Sequence, residues 1–345
     1  MRDASDAQLR SITGALFRRK QILIKNVRKK YDQPLRLREA EGVKIISLVD
    51  NSIDFLSTIQ RKEVKSFREW VKKPSRLPIA EHGFSMLVRV YDGNECHNIL
   101  FDVGSSPSTI IANARRMRIN LTQIECIVLS HGHYDHFGGL SAVTKIINRN
   151  DLPIIVHKDM FKKRGAVSPN GTIRKYPDFP REEDVKPAKY VITKQPRLIA
   201  NNLALVTGEI PRKTGFEKGY SRHRAFINGE WKPDPWIWDE RALVINVRNK
   251  GLVVLSGCAH AGIINTILYA KQLTGIEVVY AVLGGFHLSG REFEKRIDQT
   301  VKELEKIGPK LLAPSHCTGW RGIYAIYRAM PDGFIWNSVG NLYEL

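Results

Sequence analysis

The residues best suited to chemistry lie in one short stretch, residues 125–140, which reads ECIVLSHGHYDHFGGL. An apolar run at 126–129 predicts a buried strand. The loop after it carries four potential metal ligands, His131, His133, Asp135 and His136. Imidazole nitrogens and carboxylate oxygens bind zinc, manganese or iron. Because residues two apart in an extended loop face the same way, we expect the two histidines that come first to hold one metal ion. The last two side chains would then face a second ion.

Two alternatives exist for this loop: histidines on a solvated surface, or histidines that hydrogen-bond within a core. A lone histidine would favour one of these. Four ligands at this spacing, after a predicted strand and before the Gly-Gly pair at 138–139, favour a metal site instead. The elements that must position the loop are therefore a strand that ends at it and a helix that begins after the glycines, near residue 140.

The motif HGHYDH at 131–136 resembles the HxHxDH signature of the metallo-β-lactamase superfamily. Four other stretches resemble its dihydropterin-ribofuranosylaminobenzene-phosphate synthase-like branch: DNS at 50–52, EHGFS at 81–85, LFDVG at 100–104 and SGCAHAG at 256–262. The resemblance runs from about residue 43 to the C-terminus. It implies an α/β fold of the αββα sandwich type, in which two mixed sheets pack face to face with helices outside. Its metal motif is specific, whereas its substrate implication is not.

The chain has 345 residues and a formal charge of +19. This charge favours an anionic partner, a phosphorylated small molecule or nucleic acid, although a generally basic proteome would explain it equally well. No run of about eighteen apolar residues occurs, so we expect no membrane span, and we find no readable secretory signal. The four cysteines form no CxxC pair, and two of them stand beside candidate site histidines. We therefore expect a reducing, cytoplasmic location.

Three segments are expected along the chain. Residues 1–42 carry eleven Lys/Arg against five Asp/Glu and predict a basic, helical extension, docked on the domain or on a partner subunit, or alternatively touching nucleic acid. Residues 43–345 predict the metallo-β-lactamase-like domain. Within it, residues 158–240 are proline-punctuated and rich in arginine and tryptophan, which predicts a loop-rich insertion that forms a lid over the site. Such a lid would suit a planar heterocycle carrying phosphate, or a stacked nucleobase; a packed aromatic cluster is the alternative.

Three later histidines, His260, His287 and His316, each follow a predicted strand. In α/β sheets the functional crevice lies outside the carboxyl ends of the strands, so we expect them to converge with the metal loop. We expect His260 to complete the first metal site and His316 the second, the latter in agreement with the resemblance. Many superfamily members have a bridging aspartate where this chain has Cys258. Either this cysteine supplies a thiolate bridge, or a hydroxide alone bridges the ions and His260 takes over as ligand; we favour the second.

The other site expectations are less direct. By resemblance, Asp102 at the end of a predicted strand supports the metal loop from behind; a turn-forming aspartate is the alternative. Glu209 stands where superfamily members often have a histidine, and we expect it to bind metal or substrate. We expect His287 to be a general acid or a substrate contact, with a metal ligand or a packed histidine as the alternatives. By resemblance, Glu81 and His82 lie near the substrate pocket.

The resemblance implies an enzyme with two divalent ions, zinc, manganese or iron. We expect it to act on a phosphorylated small molecule, pterin-like or nucleotide-like. It would be a hydrolase in which a metal-bound hydroxide attacks, or a transferase in which the ions anchor a phosphate leaving group. A nuclease or phosphodiesterase acting on nucleic acid is one alternative, and a non-catalytic, metal-containing binding protein is another. The sequence leaves the oligomeric state open.

Overall fold

The computed structural model describes residues 33–74 and 76–345, so the helical face expected within residues 1–32 lies outside the described residues. Its largest sheet has eight strands, antiparallel at one end and parallel at the other. In spatial order they are β10 (Lys189–Ile192), β7 (Pro153–Val156), β6 (Cys126–Val128), β5 (Glu95–Phe101), β4 (Ser85–Asp92), β2 (Gly42–Val49), β19 (Leu342–Glu344) and β3 (Val64–Lys65). The neighbours from β10 to β5 run parallel.

The second sheet is also mixed. In spatial order it contains β11 (Arg197–Ile199), β12 (Ala204–Val206), β15 (Ala242–Val247), β16 (Gly251–Ser256), β17 (Val279–Gly285) and β18 (Leu311–Ser315), and β1 (Glu39–Ala40) also pairs with β15. Strands β16, β17 and β18 are parallel, so their carboxyl ends meet at one edge. The described part of the expected N-terminal extension thus supplies a strand to this sheet, and Leu35 and Leu37 pack on its outer apolar layer.

Eight α-helices occur in the described residues. They are α1 (Phe67–Trp70), α2 (Pro107–Arg116), α3 (Tyr134–Phe137), α4 (Leu140–Ile147), α5 (Glu182–Val185), α6 (Ile263–Thr274), α7 (Ile297–Ile307) and α8 (Gly319–Ala329). Short 3₁₀ helices lie at Leu121–Gln123, Lys158–Phe161, Glu294–Arg296 and His316–Thr318.

Three apolar clusters separate four layers. Along β16, alternate side chains point to opposite faces because the side-chain period of a strand is two. Val253 and Leu255 join the cluster between the two sheets, whereas Leu252 and Val254 join the cluster under α6, α7 and α8. The third cluster lies between the large sheet and helices α2 and α4. This order of layers confirms the αββα sandwich.

The segment 158–240, expected to be a loop-rich insertion, contains seven short strands. One of them, β10, extends the large sheet, and β11 and β12 extend the second. The other four form a third, small sheet in the order β14 (Glu230–Pro233), β13 (His223–Ile227), β8 (Arg164–Val167) and β9 (Ile173–Lys175). These strands have three to five residues each, which is too short for an alternating pattern to stand out in the sequence.

None of the helices in the described ranges has the length and apolar content that crossing a membrane requires.

Candidate metal centre

The candidate ligands lie where strands of the two facing sheets end. The metal loop follows β6, Cys258 and His260 follow β16, His287 follows β17, and His316 follows β18. The loop packs tightly against the turn after β5. A Cβ on Gly138 would lie 2.0 Å from the Ser105 carbonyl oxygen, so only glycine allows this approach. The loop therefore has a fixed position over the crevice between the sheets.

Three ring nitrogens converge in a first group. His131 Nε2 lies 2.9 Å from His133 Nδ1, and His260 Nε2 lies 3.2 Å from each of them. Burial lowers the pKa values of all three imidazoles well below their usual range, so the rings are neutral with free lone pairs. Nitrogens bound to one tetrahedral zinc ion at ~2.0–2.1 Å would be about 3.3 Å apart. The spacing and the donor chemistry of this group therefore fit a divalent metal.

A second group lies beside the first. Asp135 Oδ2 is 3.3 Å from His316 Nε2 and 3.7 Å from His136 Nε2. Together with Cys258 Sγ, these donor atoms lie within 4.8 Å of one another, and all four residues are buried. Within the described residues, His316 Nε2 has no hydrogen-bond partner. A buried orphaned nitrogen that faces a carboxylate and a second imidazole fits a metal ligand.

Cys258 lies between the two groups. Its sulfur is 3.2 Å from His136 Nε2, and it also belongs to a possible ligand set with His131 and His260. Burial raises the pKa of its thiol well above the usual value. The sequence posed Cys258 and His260 as alternatives, but the structure brings both side chains to the centre. The preference for a bridge without sulfur stays a prediction.

Asp102 lies behind the metal loop, where the resemblance implied a supporting carboxylate. Its Oδ1 accepts a hydrogen bond from the Ser130 backbone N–H at 2.7 Å, and its Oδ2 accepts from Ser130 Oγ and His136 Nδ1, each at 2.7 Å. Since Ser130 Oγ donates to the carboxylate, it accepts from His131 Nδ1 at 2.9 Å. Through these hydrogen bonds one carboxylate keeps the proton on Nδ1 of a histidine in each group and leaves both Nε2 atoms free for metal.

Two further residues contact the candidate ligands but were not predicted as site residues from the sequence. His223, the first residue of β13, contacts His133 with 3.1 Å between their Nε2 atoms. Asn51 Oδ1 lies 3.1 Å from His316 Nδ1. Asn51 falls in one of the stretches that carried the family resemblance, and this was its only signal. His223 lies in the third sheet, and nothing local in the sequence connects it with the metal loop.

A buried ion pair holds the start of the loop. Asp239 accepts from Arg164 Nη2 at 2.6 Å and Nη1 at 2.9 Å, and it also accepts from the Gly132 N–H at 2.8 Å. Burial alone would raise the pKa of Asp239, but the guanidinium lowers it well below its usual range. The third sheet, which contains Arg164, is therefore fastened to the metal loop.

Two expected site residues have other roles. Glu209 follows β12, which β15 separates from β16, and its carboxylate binds His157 Nε2 at 3.0 Å and Lys194 Nζ at 2.8 Å. It belongs to neither ligand group in the described residues. The Glu81 carboxylate accepts from the backbone N–H groups of Ser105 and Ser106, just before α2. Glu209 and Glu81 thus have other partners in this structure, and their expected places at the metals and near the substrate pocket stay predictions.

His82 and His287 both line the pocket. The His82 ring stacks on His316 at 5.0 Å, and its Nε2 lies 3.5 Å from Asp135 Oδ2. The His287 ring lies 4.2 Å from that of His260 and 4.3 Å from that of Phe293. Burial lowers the pKa of His287 to about 3, so the ring is neutral near pH 7. A general acid must hold its proton at the working pH, and this environment favours a substrate contact over that role.

A cavity of about 630 Å³ opens beside both ligand groups. Metal-loop and strand-end residues form one part of its wall. The third sheet, the segment before β13 and the loop at 289–293 form another part, which is aromatic and basic. That part contains Arg174, Tyr176, Tyr220, Arg222, Arg291 and Phe293. The expected lid position near the site is thus occupied by a small sheet with arginines and aromatic rings.

Comparisons with known proteins agree with this architecture. The profile of the Metallo-beta-lactamase superfamily matches residues 79–273. The chain is 36% identical over 250 residues to 7,8-dihydropterin-6-methyl-4-(beta-D-ribofuranosyl)-aminobenzene-5'-phosphate synthase of Methanocaldococcus jannaschii, covering 70% of this chain and 82% of that protein. It is 31% identical over 272 residues to an uncharacterised protein of the same organism, covering 76% of this chain and 93% of that one.

Among solved structures, the chain resembles the crystal structure of a metal-dependent hydrolase of the beta-lactamase superfamily. The TM-score is 0.66 at 25% sequence identity, and the match covers 88% of this chain and 99% of the other. The family profile spans more than half of the 345 residues, and the ligand groups lie at the strand ends of an αββα sandwich. The chain therefore belongs to the metallo-β-lactamase superfamily.

Proposed function

We propose that the chain is a metal-dependent enzyme that uses two divalent ions to act on a phosphorylated small molecule with a planar, pterin-like or nucleotide-like ring. The observation that carries the proposal is the convergence of two ligand groups at a cavity whose wall also contains three arginines and four tyrosine or phenylalanine rings. A metal pair supplies a Lewis acid for a phosphoryl or leaving-group oxygen. Arginines and rings recognise phosphate and a planar heterocycle.

The reaction we favour is a transfer that joins two phosphorylated substrates with loss of diphosphate. The named relative of M. jannaschii is, by its name, a synthase whose product contains a dihydropterin, an aminobenzene ring and a ribosyl 5'-phosphate. A product of this kind has a planar end and an anionic end, and the cavity wall offers partners for both. Hydrolysis is the second candidate, because the solved structure at TM-score 0.66 is described as a hydrolase.

The chain's own residues divide the work in this proposal. His131, His133 and His260 hold one ion, and Asp135, His136 and His316 hold the other. Asp102 keeps the Nε2 atoms of His131 and His136 unprotonated through Ser130 and through a direct hydrogen bond. His82 and His287 lie at the cavity wall, where their rings can hydrogen-bond a substrate.

The test is a turnover assay on protein loaded in turn with zinc, manganese and iron. The substrates are 6-hydroxymethyl-7,8-dihydropterin diphosphate and 4-(β-D-ribofuranosyl)aminobenzene 5'-phosphate, with bis(p-nitrophenyl) phosphate as the probe for hydrolysis. We expect metal-dependent formation of the condensed product and release of diphosphate. Turnover of the diester alone would show that the enzyme is a hydrolase and not a transferase. If metal-loaded protein turns over neither, the proposal is wrong.

A further inference from the structure

Three guanidinium groups face the cavity without a carboxylate partner. Arg174 on β9, Arg222 just before β13 and Arg291 in the loop after β17 all line it, and all three are exposed. In the described part of the chain, none of them forms an ion pair, whereas other surface arginines such as Arg149 and Arg248 do. Their charge is therefore available to an anion that enters the cavity.

A hydrogen-bonded contact between two loops, here called the clasp, joins the segments that carry two of these arginines. The Glu292 carboxylate accepts from the Ser221 backbone N–H at 3.1 Å and from Ser221 Oγ at 3.0 Å. Arg222 follows one member of the clasp in the chain, and Arg291 precedes the other. Because both oxygens of Glu292 are engaged by Ser221, this carboxylate is held in a contact of its own rather than by an arginine of the wall.

Aromatic rings support the arginines. The Arg174 guanidinium lies 5.4 Å from the Tyr176 ring centroid, and that of Arg222 lies 5.7 Å from the Tyr220 ring. Such cation–π contacts limit the positions that a long side chain samples. The Tyr176 ring in turn lies 5.4 Å from the ring of His133. A chain of contacts therefore leads from Arg174 across the Tyr176 ring to the first ligand group.

We infer that Arg174, Arg222 and Arg291 form a binding site for the phosphate monoester of the substrate, separate from the metal ligands. The inference rests on the proposed function and assigns the non-reacting phosphate to this wall. A phosphate dianion has three acceptor oxygens, and planar guanidinium groups donate to such oxygens in pairs. Three arginines supply enough donors and charge for a dianion, and they leave the metal ligands free for the reacting group.

The test measures binding rather than turnover. Ribose 5-phosphate is titrated calorimetrically into metal-loaded protein, with ribose as the phosphate-free comparison. We expect Arg222→Ala and Arg291→Ala each to raise the Kd for ribose 5-phosphate about tenfold, since a charge-assisted hydrogen bond is lost in each. Arg328→Ala removes the same charge from the exposed face of α8 and serves as the matched control, with an unchanged Kd. Metal content, measured in every variant, should equal that of the parent protein.

An unchanged Kd in the Arg222→Ala/Arg291→Ala double variant would overturn the inference, because the phosphate would then bind at the metal ions or elsewhere. An equal loss in Arg328→Ala would also overturn it, because net charge alone would explain the binding. Arg222→Lys should recover part of the affinity, since a lysine keeps the charge but not the paired donors. A failed turnover assay would contradict the proposed function and leave this measurement intact, so the two failures are distinguishable.

Discussion

The protonation of His133 follows from a chain of hydrogen bonds that begins at a backbone carbonyl. The Asp234 carbonyl can only accept, so His223 Nδ1, 2.8 Å away, carries the proton. His223 Nε2 is then the acceptor for the Nε2–H of His133 at 3.1 Å. Consequently His133 Nδ1 has a free lone pair, and it is this atom that faces His131 and His260. His223 is thus a positioning residue for the first metal site.

Replacing His223 should weaken metal binding without touching a ligand. In His223→Phe the acceptor is lost, and we expect the metal affinity of the first site to fall about 10- to 100-fold, the usual effect of removing such a partner. His223→Gln keeps an acceptor oxygen and should recover part of the affinity. Chelator competition with zinc measures both, and the absorption of the cobalt-loaded protein reports the ligand geometry. Equal affinity in His223→Phe and the parent would contradict this role.

The roles of Cys258 and His260, which follow β16, can be distinguished by counting the metal ions that each variant binds. His260 Nε2 lies 3.2 Å from two other imidazole nitrogens, so His260→Ala should lose at least one ion. Cys258→Ser should keep both ions if the bridge contains no sulfur. Elemental analysis of the purified variants counts the metal. Loss of metal in Cys258→Ser, together with a thiolate-to-metal absorption band in the cobalt-loaded parent, would show that Cys258 is the bridge.

At the scale of elements, the sequence is informative where a signal is local. The ligands of the metal loop can be predicted without knowledge of distant partners. The same holds for histidines that follow apolar runs, such as the run that forms β16. The partners of Glu209 and Glu81 were not readable from the sequence, because they lie far along the chain, His157 for one and the start of α2 for the other. The four-layer order was predicted by resemblance and confirmed, whereas the third sheet depends on pairings between short strands.

Helix α6 begins on a buried carboxylate, and this contact should make stability depend on pH. Glu217 accepts from the N–H groups of Ile264 and Asn265, each at 2.8 Å. Burial raises its pKa to about 7 although these hydrogen bonds oppose the shift. An unfolded glutamate has a pKa of about 4.3, so the folded chain binds the extra proton. The stability that this proton contributes is complete below the unfolded pKa and is lost as the pH rises through about 7.

The comparison with Glu217→Gln isolates this contribution, because the amide does not titrate. We expect the Tm of the parent, relative to that of the variant, to be highest at pH 5. This difference in Tm should shrink as the pH rises to 8. Thermal unfolding of metal-free protein at each pH measures it. Glu303→Gln on α7, whose carboxylate is only part-exposed and pairs with Lys306, is the matched control. A difference that stays constant or widens towards pH 8 would contradict the assignment.

At the scale of the whole molecule, the formal charge of +19 should matter for substrate capture. If the substrate is phosphorylated, raising the salt concentration should raise KM with little change in kcat, because screening acts on encounter and binding. Steady-state kinetics between low and high salt measure this. A KM that does not depend on salt would indicate a neutral substrate. A steep loss of nucleic-acid affinity with salt, abolished by deleting residues 1–32, would instead favour the nuclease.

The central claim is that two neighbouring ligand groups hold two metal ions beside an arginine-lined cavity. Anomalous diffraction from crystals of the zinc- or manganese-loaded protein tests it most directly, because it locates the ions without reference to activity. The predicted result is two peaks, one bound by His131, His133 and His260 and the other by Asp135, His136 and His316. A single peak, or peaks that none of these side chains contacts, would contradict the account.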